Sequence, residues 1–186
     1  MPYEVEKRAL LKNISEFNRC RQFLLDSGIF IKEENFKSFL FKDPYYLRLR
    51  VKQNDNFSVV AHKANTNYEG VRQEIELKLD SDQTLKFADI INNIGYKKCA
   101  LISTRRLIFE YQNVSLELND VENLGLILEA EVITDQETEI ISIQNKIDEI
   151  FNQLKVEELN LDIYKQMKEK LYTENIVDFN SSLIKF

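Results

Sequence analysis

Charged and apolar residues alternate in Tyr3-Glu-Val-Glu-Lys-Arg8, close to the start of the chain. Successive side chains of a β-strand point to opposite sides, so Glu4, Glu6 and Arg8 share one face and Val5 lies on the other. A half-buried strand of an antiparallel sheet normally has one apolar face and one solvated polar face. Charge at every second position therefore predicts a strand whose polar face is either salt-bridged in solvent or part of a charged cavity.

The same pattern recurs in three further segments. The same-face charges there are Arg48 with Arg50, then Arg72 with Glu74 and Glu76, and finally Glu129 with Glu131. One interpretation is a β-sandwich whose outer faces carry cross-strand salt bridges. The alternative, favoured because four strands share the pattern, is a closed antiparallel barrel with a charged lumen and an apolar exterior that amphipathic helices cover.

The distribution of strands and helices predicts one α+β domain over residues 1–186, since no Pro-rich or Gly/Ser-rich linker interrupts them. Period-two alternation indicates strands at 3–11, 45–51, 57–63, 71–79, 99–111, 114–119 and 126–133. Capping residues and apolar spacing predict helices from Asn13 to Gly28, from Ser81 to Gly95, from Thr134 to Leu154 and over 159–172. We expect a barrel core over residues 3–133 and a helical region over 134–179.

Bulk composition excludes several classes of protein. A net charge of −6 and a pI near 5.0 argue against a general nucleic-acid binder, which needs clustered Lys and Arg. The absence of a membrane-spanning apolar run and of a leader predicts a cytoplasmic protein with no membrane partner, and Cys20 and Cys99 are expected to be free thiols. With His62 as the single histidine, any metal site must be built mainly of carboxylates, which favour Mg²⁺ or Mn²⁺.

A lumen of mixed charge would suit a phosphate-rich ligand. The planar guanidinium fork matches phosphate oxygens, and the cations available for this are Lys63, Arg48, Arg50, Arg72 and Arg106. The carboxylate pairs Glu4/Glu6, Glu74/Glu76 and Glu129/Glu131 could hold one or two Mg²⁺ ions that bridge phosphate oxygens.

Several short motifs, in order along residues 3–133, resemble those of the CYTH superfamily. They are the Glu-x-Glu start at Glu4, Leu47-Arg-Leu-Arg50, Lys63, Arg72-Gln-Glu74, Arg106, Val121-Glu-Asn-Leu-Gly125 and Glu129-Ala-Glu131. That superfamily includes class IV adenylate cyclases, thiamine triphosphatases and inorganic tripolyphosphatases. The resemblance implies an eight-stranded antiparallel tunnel that binds a triphosphate group with Mg²⁺ or Mn²⁺.

The resemblance also implies roles for individual residues. The metal-side carboxylates would be Glu4, Glu6, Glu129 and Glu131. The candidate catalytic residues are Arg8, Lys63 and Arg106, and the candidate substrate-binding residues are Arg48, Arg50, Arg72 and Glu74, with Glu76 beside Glu74 on the tunnel floor.

Three positions depart from the family pattern. Arg8 stands where a lysine is usual, Thr104 where a basic residue is usual, and Asn119 where an acidic residue is usual. The first functional hypothesis is a cyclase-like enzyme that converts ATP to cyclic AMP and pyrophosphate. The alternatives are a hydrolase of tripolyphosphate or thiamine triphosphate and a non-catalytic triphosphate-binding barrel, and either a monomer or a homodimer would serve.

Overall fold

The computed structural model describes residues 2–42, 47–52, 57–65 and 71–185, except for the side chains of residues 63–65 and 72–74. The strands are β1 (Tyr3–Leu11), β2 (Ile29–Phe41), β3 (Leu47–Lys52), β4 (Phe57–Asn65), β5 (Val71–Asp80), β6 (Lys98–Tyr111), β7 (Val114–Val121), β8 (Gly125–Thr134) and β9 (Ile176–Asp178). The helices are α1 (Ile14–Ser27), α2 (Ser81–Asn93), α3 (Ile140–Leu154) and α4 (Leu161–Glu174), with short 3₁₀ turns at Glu137–Glu139 and Ser181–Leu183. The α+β class is confirmed.

The strands form one antiparallel sheet in the order β2-β3-β4-β5-β1-β8-β7-β6-β9, with a further pairing between β2 and β6. The predicted closed eight-stranded barrel, or tunnel, is therefore wrong. The sheet has nine strands and ends at β9, which pairs with β6 over three residues. Among the described residues, β1 and β5 share only two residue pairs, Glu4 with Arg72 and Val5 with Val71.

The sequence analysis did not predict β2 and β9. In these strands, polar and apolar residues do not alternate over enough positions to show a period of two. The first half of β2, from Ile29 to Asn35, is mostly exposed, and its register shifts between Phe30 and Lys32. The three residues of β9 are too few to show a period. Residues 45–46 of the strand predicted over 45–51 lie outside the described residues.

The apolar faces of the strands pack against the helices in two main clusters. In the larger cluster, Val5 and Ala9 of β1 pack with Phe17 of α1 and with Ile147 and Ile150 of α3. In the second, α2 and the C-terminal Phe179 cover apolar residues of β2, β3 and β4. These contacts leave the opposite, charged face of the sheet turned away from α1, α2 and α3.

The helix ends follow the predicted chemistry except in two places. The Asn13 side chain accepts from the Glu16 backbone N–H and begins α1 as expected. Gly28 is needed for a close approach rather than for a left-handed cap, since a Cβ there would lie 2.9 Å from the Glu110 carbonyl oxygen. The third helix begins at Ile140 and not at Thr134, because Thr134 still belongs to β8 and a 3₁₀ turn at Glu137–Glu139 precedes the helix.

No helix in the described part of the chain combines the length and the apolar character that a membrane crossing requires.

Candidate functional site

The charged face of the sheet lines a cavity of about 810 Å³. The sequence-predicted residues that line it are Glu4, Glu6, Arg8, Arg48, Arg50, Glu76, Arg106, Glu129 and Glu131. They come from β1, β3, β5, β6 and β8, so the fold brings together residues far apart in sequence. The backbones of Lys63, Arg72 and Glu74 lie on β4 and β5, and their side chains are outside the described residues.

Arg8 joins the two strands that carry the paired glutamates. Its backbone lies opposite Glu129 in the β1–β8 register, its Nε donates to Glu129 Oε1 at 2.5 Å, and its Nη2 donates to Glu6 Oε2. Its guanidinium also covers the Tyr164 ring of α4, 4.6 Å from the ring centroid. Burial disfavours the charge, but Glu129, Tyr164 and Glu6 outweigh that cost and hold the pKa of Arg8 well above its ordinary value.

Arg106 is held by three side chains of the neighbouring strands. Its Nε donates to Asn119 Oδ1 at 2.7 Å, its Nη1 lies 2.7 Å from Glu117 Oε2, and its Nη2 lies 3.6 Å from Glu129 Oε2. Burial raises the pKa of Glu117, and the adjacent Glu129 raises it further. Arg106 is therefore held in place before any ligand is present.

Glu117 was missed in the sequence analysis, although it lies two residues before Asn119 and so on the same face of β7. The family pattern expected an acidic residue at position 119. The structure supplies a carboxylate from position 117 instead, and Asn119 accepts a hydrogen bond from the same arginine. Counting two residues back along the strand from Asn119 would have identified Glu117 as a residue on the same face.

Arg48 and Arg50 lie in a different environment, on β3. Arg48 Nη2 is 3.7 Å from Glu76 Oε1, which is a loose ion pair. The Arg50 guanidinium stacks over the Phe36 ring at 4.5 Å, and Arg106 approaches the same ring at 5.1 Å. The buried Nε of Arg50 has no hydrogen-bond acceptor within the described residues.

The electrostatics of Arg50 favour an incoming anion. Burial lowers the pKa of Arg50 to about 9, and the nearby guanidiniums of Arg48 and Arg106 add to the effect. Arginine still carries its proton at neutral pH, so the shift means that the charge is kept at an electrostatic cost. An anion bound beside Arg50 would reduce that cost.

The carboxylates of β1 and β8 are candidates for metal ligands. Glu6 lies directly opposite Glu131 in the antiparallel register, a placement that is unfavourable for two like charges alone. Glu4 and Glu6 are almost fully buried, with 7% and 4% of their surface exposed. No three Asp, Glu, His or Cys side chains converge on a possible metal position in the described residues. Mg²⁺ nevertheless often binds through one or two carboxylates, with water and phosphate completing its shell.

Helix α4 contributes residues that the sequence analysis did not assign to the site. Tyr164, Lys165, Lys168 and Leu171 line the cavity, and their spacing places them on one side of the helix. In the sequence the two lysines look like ordinary solvated positions on an amphipathic helix.

The described lining of the cavity contains six carboxylates and six cationic side chains. Among these described side chains the formal charges balance without a ligand. Because a strongly anionic ligand would disturb this balance, divalent cations entering with it would restore neutrality.

Comparisons with known proteins agree with this architecture. A protein of Methanocaldococcus jannaschii named "Putative adenylate cyclase MJ0240" is 27% identical over 115 residues, or 61% of this chain, and the match covers 65% of that relative's length. The PH1819 protein of Pyrococcus horikoshii has a similar structure, with a TM-score of 0.72, 24% identity and coverage of 84% of this chain and 93% of that one.

A third match is the Hippeastrum protein named "Putative adenylyl cyclase HpAC1", for which a dominant triphosphatase activity is described; its TM-score is 0.60 at 16% identity, over 85% of this chain and 90% of that one. At these identities the structural matches establish a shared fold. The CYTH domain family model matches residues 2–163, and the chain accordingly belongs to the CYTH domain family.

Proposed function

We propose that this protein is a metal-dependent enzyme that binds a triphosphate group in the cavity and catalyses substitution at one of its phosphorus atoms. The observation that carries the proposal is Arg50, a buried cation whose Nε has no acceptor within the described residues. A buried polar group without a partner is costly, and a phosphate oxygen is the acceptor that a guanidinium fork fits best.

Arg48 and Arg50 are the proposed primary phosphate contacts. They project from the same face of β3 into the cavity, and Arg106 reaches the same region from β6, since both Arg50 and Arg106 approach Phe36. Three cations around one volume can bind successive phosphates and stabilise negative charge that develops during transfer.

Glu4, Glu6 and Glu131 would hold the divalent metal. Their hard oxygen donors suit Mg²⁺ or Mn²⁺, and the opposed pair Glu6 and Glu131 would be relieved of repulsion by a cation. When bound, such a metal supplies charge neutralisation at the phosphate oxygens. Glu6 also pairs with Arg8, whereas Glu129 pairs with both Arg8 and Arg106 and is therefore assigned to those two arginines.

Arg8 and Arg106 act, in this proposal, as fixed positive charges rather than as proton acceptors. Arginine does not give up its proton under physiological conditions, so a general-base role for Arg8 is not proposed. Their carboxylate partners hold both guanidiniums in position, which spares the reorganisation that stabilising a transition state would otherwise require.

Two reactions fit this arrangement. Attack by the ribose hydroxyl of ATP on its α-phosphorus gives cyclic AMP and pyrophosphate, as the name of the M. jannaschii relative suggests. Attack by water on the terminal phosphorus gives a diphosphate compound and phosphate, and the triphosphatase activity described for the Hippeastrum protein favours testing this second reaction as well.

The test is an assay for cyclic AMP, pyrophosphate and phosphate with ATP, thiamine triphosphate and tripolyphosphate, each with Mg²⁺ or Mn²⁺ and with a chelator. We expect metal-dependent product from at least one compound and a loss of activity in Arg50→Met. The matched control is Arg105→Met, since Arg105 is exposed on the same sheet and pairs with Glu33. Tight binding without any product would contradict the enzyme and support a binding module, and absence of both would refute the triphosphate site.

A further inference from the structure

One nitrogen of the Arg8 guanidinium is left over after the sheet has bound the other two. Nε donates to Glu129 Oε1 at 2.5 Å, and Nη2 donates to Glu6 Oε2. Arginine has five N–H donors in a rigid planar fork, and the two donors on Nη1 form no hydrogen bond within the described part of the chain. Since Arg8 lines the cavity, Nη1 is the part of this side chain that remains for a ligand.

The two carboxylates do not by themselves fix the direction of Nη1. Both hydrogen bonds start from the edge that joins Nε and Nη2, so the guanidinium can tilt about that edge. A small tilt weakens these two bonds little, but it moves Nη1 the most of the three nitrogens because Nη1 lies off the edge. Holding Nη1 in one place therefore requires a contact with the flat face of the guanidinium.

Tyr164 of α4 makes that contact. The Arg8 carbon Cζ lies 4.6 Å from the centroid of the Tyr164 ring, inside the distance of about 6 Å over which a cation is attracted to a ring face. A planar guanidinium can stack on such a face, whereas a compact ammonium cannot. Lys168, on the next turn of α4, approaches the same ring at 5.5 Å. Arg8 is therefore the closer of these two cations.

Backbone hydrogen bonds place Tyr164 against Arg8. The N–H of Leu159, just before α4, donates to the Arg8 carbonyl oxygen at 2.6 Å. Asn160 then caps the helix, because its side chain accepts from two backbone N–H groups of the first turn, and its carbonyl oxygen accepts from the Tyr164 N–H at 2.9 Å. One helical turn thus leads from the backbone of Arg8 to a ring against its side chain, which makes the contact a feature of the fold.

We propose that Tyr164 is a positioning residue for the reaction, whose ring sets the tilt of the Arg8 guanidinium so that Nη1 meets the phosphoryl group at which charge develops. This inference rests on the proposed function and adds α4 to what determines its rate. The primary phosphate contacts proposed above are Arg48 and Arg50, so a tilted Arg8 would leave substrate binding largely intact. A misplaced cation stabilises the transition state less, and the loss is therefore expected in kcat.

The test measures kcat and KM for the triphosphate compound that the natural protein turns over fastest. In Tyr164→Leu, kcat should fall by about tenfold, the size expected for losing a partly desolvated contact between a cation and a ring. KM should change by less than about twofold, because the interaction acts in the transition state. Tyr164→Phe keeps the ring and should recover most of the kcat. Tyr164→Met is the second variant if Tyr164→Leu does not fold.

Tyr172→Leu is the matched control. Tyr172 lies on the same helix, with Lys42 Nζ 5.5 Å from its ring centroid, and both residues lie outside the described cavity lining. Its kcat should equal that of the natural protein. An equal loss in Tyr172→Leu would show that only the docking of α4 matters, and an equal loss in Tyr164→Phe would assign the effect to the hydroxyl. Either result would overturn the positioning role, as would a natural kcat in Tyr164→Leu or a change confined to KM.

A double variant tests whether Tyr164 acts through Arg8. In Arg8→Lys the planar fork is gone, so adding Tyr164→Leu should lower kcat by less than about twofold further. The full tenfold loss in that background would show that Tyr164 acts independently of Arg8 and would overturn the proposal, while turnover by the natural protein would leave the proposed function standing. If the natural protein turns over none of the compounds, the proposed function fails, and the role of Tyr164 fails with it.

Discussion

Two pairs of arginines line the cavity in contrasting circumstances. Arg8 and Arg106, on β1 and β6, are each bound by at least two side chains. On β3, Arg48 forms a longer ion pair with Glu76, at 3.7 Å, and Arg50 stacks on Phe36 with its Nε lacking an acceptor among the described residues. We call these the braced pair and the open pair.

The contrast distinguishes arginines that stabilise the folded protein from arginines that would bind a ligand. The charges of the braced pair are already compensated, so those residues stabilise the folded protein and fix the shape of the site. In the open pair, Arg50 keeps its charge against burial and against the neighbouring guanidiniums of Arg48 and Arg106. Residues that a protein leaves under such electrostatic cost are frequently those that contact ligands.

The largest effect is expected from Arg106→Met. Removing this guanidinium leaves Glu117 and Glu129 opposed across β7 and β8 without their shared cation, and breaking a buried pair on one side costs about 3–5 kcal/mol. Chemical denaturation should show this loss of unfolding free energy. A variant as stable as the natural protein would show that the ion pairs of Arg106 with Glu117 and Glu129 do not stabilise the fold.

The next effect concerns Arg50→Met, which should separate the two properties. The ligand-free variant should be at least as stable as the natural protein, because a charge that burial and two neighbouring guanidiniums disfavour is removed. Its affinity for triphosphate should fall roughly 10- to 100-fold, the loss typical of a hydrogen bond to a charged group. Thermal unfolding with and without tripolyphosphate and Mg²⁺ measures the ligand-free stability and the affinity. If Arg50→Met lowers the ligand-free stability as much as Arg106→Met does, the two pairs of arginines do not differ in the way proposed.

Much of the site was predictable because strand alternation is a strict geometric rule. The same-face charges at Glu4, Glu6, Arg48, Arg50 and Glu129 do line one cavity, since successive residues of a strand cannot share a side. Their functional roles remain predictions.

The parts that could not be predicted depend on tertiary contacts. The alternation of polar and apolar residues does not indicate which strands pair or where a sheet ends. The order of the nine strands and the edge at β9 therefore required the structure. Helix periodicity locates the apolar stripe of α4 but cannot tell that Lys165 and Lys168 lie at a cavity. Which cation each carboxylate binds is likewise a matter of cross-strand register.

A third experiment compares Glu131→Gln with Glu129→Gln. Glu129 binds both arginines of the braced pair, so its neutralisation should lower the unfolding temperature more than that of Glu131. Glu131 is proposed as a metal ligand, so Glu131→Gln should raise the Mg²⁺ concentration needed for half-maximal activity several-fold. Metal titrations and thermal melts of both variants decide the matter, and indistinguishable profiles would show that the two glutamates share one role.

The smallest effect tests an ion pair on β2 and β3 that does not line the cavity. Glu34 binds Lys32 at 2.6 Å and also Lys52. Burial alone would raise the pKa of Glu34, but the hydrogen bonds from Lys32 and Lys52 outweigh it and lower that pKa below its ordinary 4.5. A carboxyl whose pKa is lower in the folded state stabilises the fold above its unfolded pKa, and the gain disappears as the pH falls through the folded pKa.

Glu34→Gln should therefore destabilise the protein at pH 7, by less than about 1 kcal/mol because Lys32 is half exposed. The difference from the natural protein should stay constant between about pH 6 and pH 8, because this range lies well above the pH at which the Glu34 carboxyl titrates. It should then shrink as the pH falls below 4.5, because the natural carboxyl becomes neutral as well. Urea unfolding at successive pH values measures the difference, and tripolyphosphate affinity should not change at neutral pH. A stability difference that persists undiminished in acid would show that Glu34 acts through packing, and a loss of ligand affinity would extend the binding site beyond the cavity lining.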